Sequence, residues 1–141
     1  MVDKQEKSEE KIEIKDLSTA DSLTVAKAAV TVLFKKIALG IKLIYAANTT
    51  VLTDYYVVAY ARSATHARAL ANELERVLGA AGIPPKHPEG LEGGEWILVD
   101  VGDVIVHIFS KEAGEFYRFE RLFKEDSFLS VADVVTENDS Q

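Results

Sequence analysis

The chain has 141 residues, 48% hydrophobic and 28% charged, a net charge of −7 and no cysteine. That length holds one domain with one core, and the lack of cysteine excludes a disulfide framework, a zinc–thiolate centre and a cysteine nucleophile. No run approaches the roughly 20 apolar residues of a membrane span; the Glu- and Lys-dense start carries neither an apolar signal core nor an Arg/Ser-rich amphipathic pattern, so a cytoplasmic protein is expected.

The charge is unevenly spread. Residues 1–16 hold six acids and four bases, and residues 124–141 hold five acids and one base, which leaves the intervening block at −1. A nucleic-acid binder carries a basic field on its folded part, so no direct nucleic-acid binding is expected. Inside the block, Glu89, Glu92, Glu95, Asp100 and Asp103 fall within fifteen residues that contain no Lys or Arg. Such local acidity either complements a basic protein partner or marks a solvated hairpin edge that charge protects from pairing.

Residues 1–18 alternate charge densely and read as a flexible or loosely attached tail. Leu23, Ala26, Val30, Leu33, Phe34 and Ile37 have helical spacing, with Asp21 or Ser22 as N-cap and Gly40 as the stop. Ile41–Ala47 alternates as a strand, and Asn48-Thr49-Thr50 breaks it. The run from Asp54 to Ala61 is apolar and β-prone on both faces, as expected of a strand covered by helices. Ser63 then opens a helix whose Ala67, Leu70, Ala71, Leu74, Val77, Leu78 and Ala81 recur at steps of three and four, ended by Gly82 and Pro84.

The segment Pro84-Pro85-Lys86-His87-Pro88 lacks the N–H groups that a central strand needs. Beyond Gly93-Gly94, Trp96–Asp100 and Val104–Phe109 are strands, and Gly102-Asp103 between them suits a type II′ hairpin. Ser110 is predicted to cap a last helix over Lys111–Phe123, with Phe116, Phe119 and Phe123 on one face; Phe128, Leu129, Val131, Val134 and Val135 suggest a short packed segment after it. The order predicts an α/β fold, a mixed sheet with helices on its faces. The expected organisation is a tail over 1–18, one domain over 19–123 and an acidic extension over 124–141.

Chemistry is sparse. His66, His87 and His107 show no metal-ligand spacing, and His107 reads as a satisfied sheet histidine. No phosphate-binding glycine loop or nucleophile elbow occurs. Asp100 and Asp103 flank a predicted tight turn, where Asp is either turn chemistry or a Mg²⁺ pair. Trp96, the single tryptophan, reads equally as core or as an interface anchor, because one indole buries roughly 150–250 Å².

The run Glu95-Trp96-Ile97-Leu98-Val99-Asp100-Val101-Gly102-Asp103-Val104-Ile105-Val106-His107-Ile108-Phe109, followed by Glu115-Phe116-Tyr117-Arg118-Phe119-Glu120-Arg121-Leu122, closely resembles the ribosomal silencing factor (RsfS, Iojap-like) family. Upstream, Thr53–Ala59 and Ser63 match that family's strand and helix start, so the resemblance covers about residues 23–123. It implies a nucleotidyltransferase-like fold used for binding, not catalysis. It also implies docking on large ribosomal subunit protein fourteen, a steric block of subunit joining, and repression of translation when nutrients are scarce. A possible homodimer is implied as well; no membrane partner and no cofactor are expected. Carried over from the motifs, the partner-binding residues are Glu95, Trp96, Asp100, Asp103, His107, Tyr117, Glu120 and Arg121, with Trp96 interfacial or half-exposed. Val101 stands where an aromatic is usual and Ser110 where His is common, and both departures are expected to weaken contacts near the docking face. The alternatives are a Mg²⁺-dependent nucleotidyltransferase-like enzyme using Asp100 and Asp103, and an adaptor for another protein.

Overall fold

A computed structural model describes residues 12–139, and residues 1–11 of the expected tail lie outside that range. The elements are α1 (Ser22–Lys35), β1 (Leu39–Tyr45), β2 (Tyr55–Ala61), α2 (Ala64–Ala80), β3 (Trp96–Val101), β4 (Val104–Ser110), α3 (Lys111–Tyr117), β5 (Phe128–Leu129) and α4 (Val131–Asp139), with 3₁₀ turns at Phe119–Leu122 and Glu125–Ser127. The expected α/β class holds. The strand order is β3-β4-β2-β1-β5. Only β2 and β4 run parallel, and the rest pair antiparallel.

Local chemistry sets the element ends. Asp21 accepts from the Thr24 N–H at 2.9 Å and Ser63 from the His66 N–H at 3.1 Å. These side chains satisfy amide donors that the first helical turn leaves free. Gly102 turns the β3–β4 hairpin at φ 67° while Asp103 stays out of the positive-φ region, the pattern of a II′ turn. Gly40 does not stop α1. It lies inside β1 at φ 53°, where the register skips a residue between Leu39 and Lys42, so it forms a β-bulge. The helix ends earlier, with Ile37 in the left-handed region.

Period-two alternation divides the sheet into two faces. Val57, Ala59, Ile97, Val99, Val104, Val106 and Ile108 point to the helical layer, where Leu70, Leu74 and Leu78 of α2 are fully buried. Each such leucine contributes about 1.5–3 kcal/mol of hydrophobic stabilisation. The α1 helix is buried along Val25–Leu33 except Lys27, because β1, β2 and β4, α2 and α4 all pack against it. The opposite face is aromatic, with Tyr56, Tyr60, Phe119, Phe123 and Phe128 against Ile44, Val58 and Phe109.

Two expectations need correction, and the short packed segment expected after residue 123 is present. Residues 12–18 are not a loose tail: Ile12 and Leu17 are buried in the main core, and the Leu17 N–H donates to the Ala81 carbonyl at 2.7 Å. The last helix does not run to Phe123. It stops at Tyr117 because Arg118 adopts φ 48°, and Phe116 consequently points outward, 81% exposed, while Phe119 and Phe123 pack inward. The acidic extension contributes β5, paired to β1 through Leu43↔Leu129 and Ile44↔Phe128, and α4, whose Val134 joins the core.

Candidate partner-binding face

On β3, alternation sends Trp96, Leu98 and Asp100 to the aromatic side; across the hairpin they register with Phe109, His107 and Ile105. The Trp96 Nε1–H donates to His107 Nδ1 at 2.9 Å. An indole nitrogen can only donate, so Nδ1 is the acceptor and the ring proton resides on Nε2. Burial drives the His107 pKa down to about 4, which keeps the imidazole neutral and this tautomer in place. Tyr117 packs on the indole with ring centroids 4.8 Å apart, and Phe109 lies beneath at 4.9 Å.

The result is an indole clamped by ring and hydrogen-bond contacts yet 37% exposed, beside Tyr117 at 50% and Phe116 at 81%. Trp96 is therefore half-exposed, as expected. His107, in contrast, is buried at 5%, and its contact with the site is the hydrogen bond that holds Trp96. Its Nε2 and the Asp100 Oδ1 are buried with no hydrogen-bond partner among the described residues.

The remaining predicted residues separate. Glu95 is exposed at the head of β3, and Asp100, on the indole's side of the sheet, meets Lys86 Nζ at 3.8 Å. Asp103 sits at the hairpin turn, about 16 Å of strand away from Trp96. Its carbonyl accepts from the Asp54 and Tyr55 N–H groups at 2.9 and 3.2 Å, and the Asp54 carboxylate accepts from Ser22 Oγ at 2.9 Å, a structural role. Glu120 accepts from the Tyr60 hydroxyl and, with Arg121, lines a separate groove on the far side of α3. Burial, then the Glu120 contact, pushes the Tyr60 pKa up.

Of the two departures from the family pattern, only Ser110 lies beside the indole, its N–H donating to the Glu95 carbonyl at 2.9 Å. Val101 is buried with the helical layer, and Ser110 is buried and caps α3 by accepting from the Ala113 N–H at 3.2 Å. Sequence reasoning missed Phe116, Leu98 and Ile105 on this face. Alternation along β3 and β4 was enough to find the last two, whereas Phe116 depends on the break at Arg118. It also missed that residues 86–89 cover the outer edge of β3, with Lys86 N–H donating to Asp100 and Glu89 exchanging bonds with Leu98.

Among the described residues no helix is long and apolar enough to cross a membrane, and no group of three or more His, Asp or Glu is arranged to hold a metal ion. A five-stranded mixed sheet, with α1, α2 and α4 on one face and the short α3 on a half-open aromatic surface on the other, defines a single-domain α/β protein. Residues 19–141 match the family described as ribosomal silencing factor during starvation, and the chain belongs to that family. It is 31% identical to the ribosomal silencing factor RsfS of Halalkalibacterium halodurans over 62% of this chain and 74% of that protein. A crystal structure of a Chromobacterium violaceum protein is similar at a TM-score of 0.70 and 32% identity, over 72% of this chain and 85% of that one. A mouse protein named mitochondrial assembly of ribosomal large subunit protein 1 is 30% identical over 54% of this chain and 35% of its own length.

Proposed function

We propose that this protein docks on the large ribosomal subunit through the Trp96 face, at ribosomal protein fourteen, and represses translation by occupying the surface where the small subunit joins. The action is steric and needs no catalytic group. Membership of the silencing family supports the repressor role, and the mouse relative's name supports the large-subunit partner. The observation that carries the reading is the immobilised, half-exposed indole. A ring already fixed in place loses little rotamer freedom on binding, so most of its burial is available as affinity. Glu95, exposed beside it, adds negative charge that complements a basic ribosomal surface.

The test is binding of the protein to purified large subunits together with light scattering of subunit joining. Trp96→Ala is expected to cost about 2 kcal/mol of affinity and to restore joining in proportion. Unchanged affinity in that variant removes Trp96 from the contact, and normal joining at saturating wild-type protein removes the steric block.

A further inference from the structure

On the side of α3 away from the indole lies a second concavity, about 360 Å³, floored by Tyr60. Lys111, Arg118 and Arg121 stand on its rim, and among the described residues none of the three makes an ion pair. Three cations against two acids leave this small groove locally positive in a chain of net charge −7, and of the three only Arg118 has a polar contact among the described residues, its Nε–H donating to the Glu115 carbonyl at 2.9 Å; exposed like charges repel unless something anionic sits between them. Glu120, also at the rim, is engaged with the Tyr60 hydroxyl; Glu115 is the other acid there.

Two backbone features hold the groove in this shape. Arg118 takes the left-handed conformation at φ 48°, which ends α3 and turns the chain so that Arg118 and Arg121 join Lys111 around one opening. A non-glycine residue pays for that conformation, and such strain gathers where function demands it. Gly114 packs flat on the Tyr60 ring, where no side chain would fit, so the floor stays open.

We propose that this groove binds a small phosphate-bearing ligand, its oxyanion held by Lys111, Arg118 and Arg121. Guanidinium groups match phosphate oxygens in pairs and an ammonium adds a point charge. The size suits a compact ligand, and a groove that also carries Glu115 and Glu120 lacks the continuous basic stripe that an RNA backbone needs. Binding of a small ligand here is measurable without ribosomes, and none of the three cations contacts the indole, although Arg121 is also carried over from the family motif as partner-binding.

The experiment is calorimetric titration of the full chain, without ribosomes, with inorganic pyrophosphate and with AMP. Saturable binding of at least one is expected, weakened about tenfold or more in Lys111→Ala/Arg121→Ala. Both side chains are exposed, and thermal melting verifies that the variant folds. Arg118→Gly, which keeps the turn and removes the guanidinium, is expected to lose affinity similarly. No saturation with either probe at millimolar concentration overturns the proposal, as does binding that survives both variants. Tighter binding of a short single-stranded RNA through the same cations also overturns it, by making the groove a polymer contact.

Discussion

Ile37 ends α1 in the hydrogen-bonded geometry with which Gly82 ends α2. In each, the left-handed residue donates three positions back (Ile37 to Phe34, Gly82 to Gly79) and its successor donates five back (Ala38 to Leu33, Ile83 to Leu78). Glycine adopts φ 94° freely, whereas a β-branched residue at φ 66° is strained. Ile37 is also 58% exposed, so little burial offsets that strain. Ile37→Gly is therefore expected to stabilise the protein by about 1 kcal/mol, read as a higher urea midpoint with an unchanged slope. A lower midpoint would show that the isoleucine packs more than its exposure indicates.

The bond from Trp96 to His107 predicts a different loss. His107→Phe keeps a ring in the buried site but removes the acceptor, leaving the indole N–H unsatisfied when docking buries it. Stability is expected to fall by about 1–2 kcal/mol and large-subunit affinity to fall with it. His107→Gln, which restores an acceptor, is expected to recover part of the affinity. Equal affinity in all three proteins would mean that the indole needs no fixing.

The same histidine makes stability depend on pH. Its pKa is about 4 when folded and 6.5 when unfolded, so between these values the unfolded chain binds the extra proton. The contribution of neutral His107 is fully present above about pH 6.5 and is lost as pH falls towards 4, up to about 3 kcal/mol. Urea denaturation across pH 4–7 is expected to show this slope in the wild type and a flatter one in His107→Phe. Parallel profiles would place the titration elsewhere.

Gly114 and Tyr60 are coupled by contact. Alanine in a helix is favoured over glycine by about 1 kcal/mol, yet here its Cβ meets the Tyr60 ring, and overpacking costs about 1–3 kcal/mol. Gly114→Ala is expected to be destabilising overall. In a Tyr60→Ser background the ring is gone and the same change is expected to become neutral or stabilising, a double-mutant cycle with a clear coupling energy.

Much of this fold follows from signals a few residues long. The steps of three and four from Ala67 to Leu78, the hydroxyl at Ser63 and the Gly102-Asp103 pair each act within one turn of chain, and each produced the element expected. The run Lys111–Phe123 misled because helical spacing of its phenylalanines is also compatible with a short helix, a left-handed break at Arg118 and a 3₁₀ turn. Local spacing does not distinguish these. The packing of Phe119 and Phe123 on Tyr56 does.

The candidate site divides the same way. Alternation along β3 was enough to put Leu98 on one side with Trp96 and Asp100, although only the latter two were expected at the site, and the family motif marked the indole. Whether that side faced solvent rested on what covers it. A short α3 that ends at Tyr117 leaves the indole half open, while Phe119, 4.3 Å from the His107 ring, helps bury the imidazole and so keeps it neutral. Sequence determined the period of each element, because backbone geometry repeats locally. Only the tertiary structure decided exposure, protonation and the grouping of Lys111, Arg118 and Arg121, because these depend on residues brought together by packing.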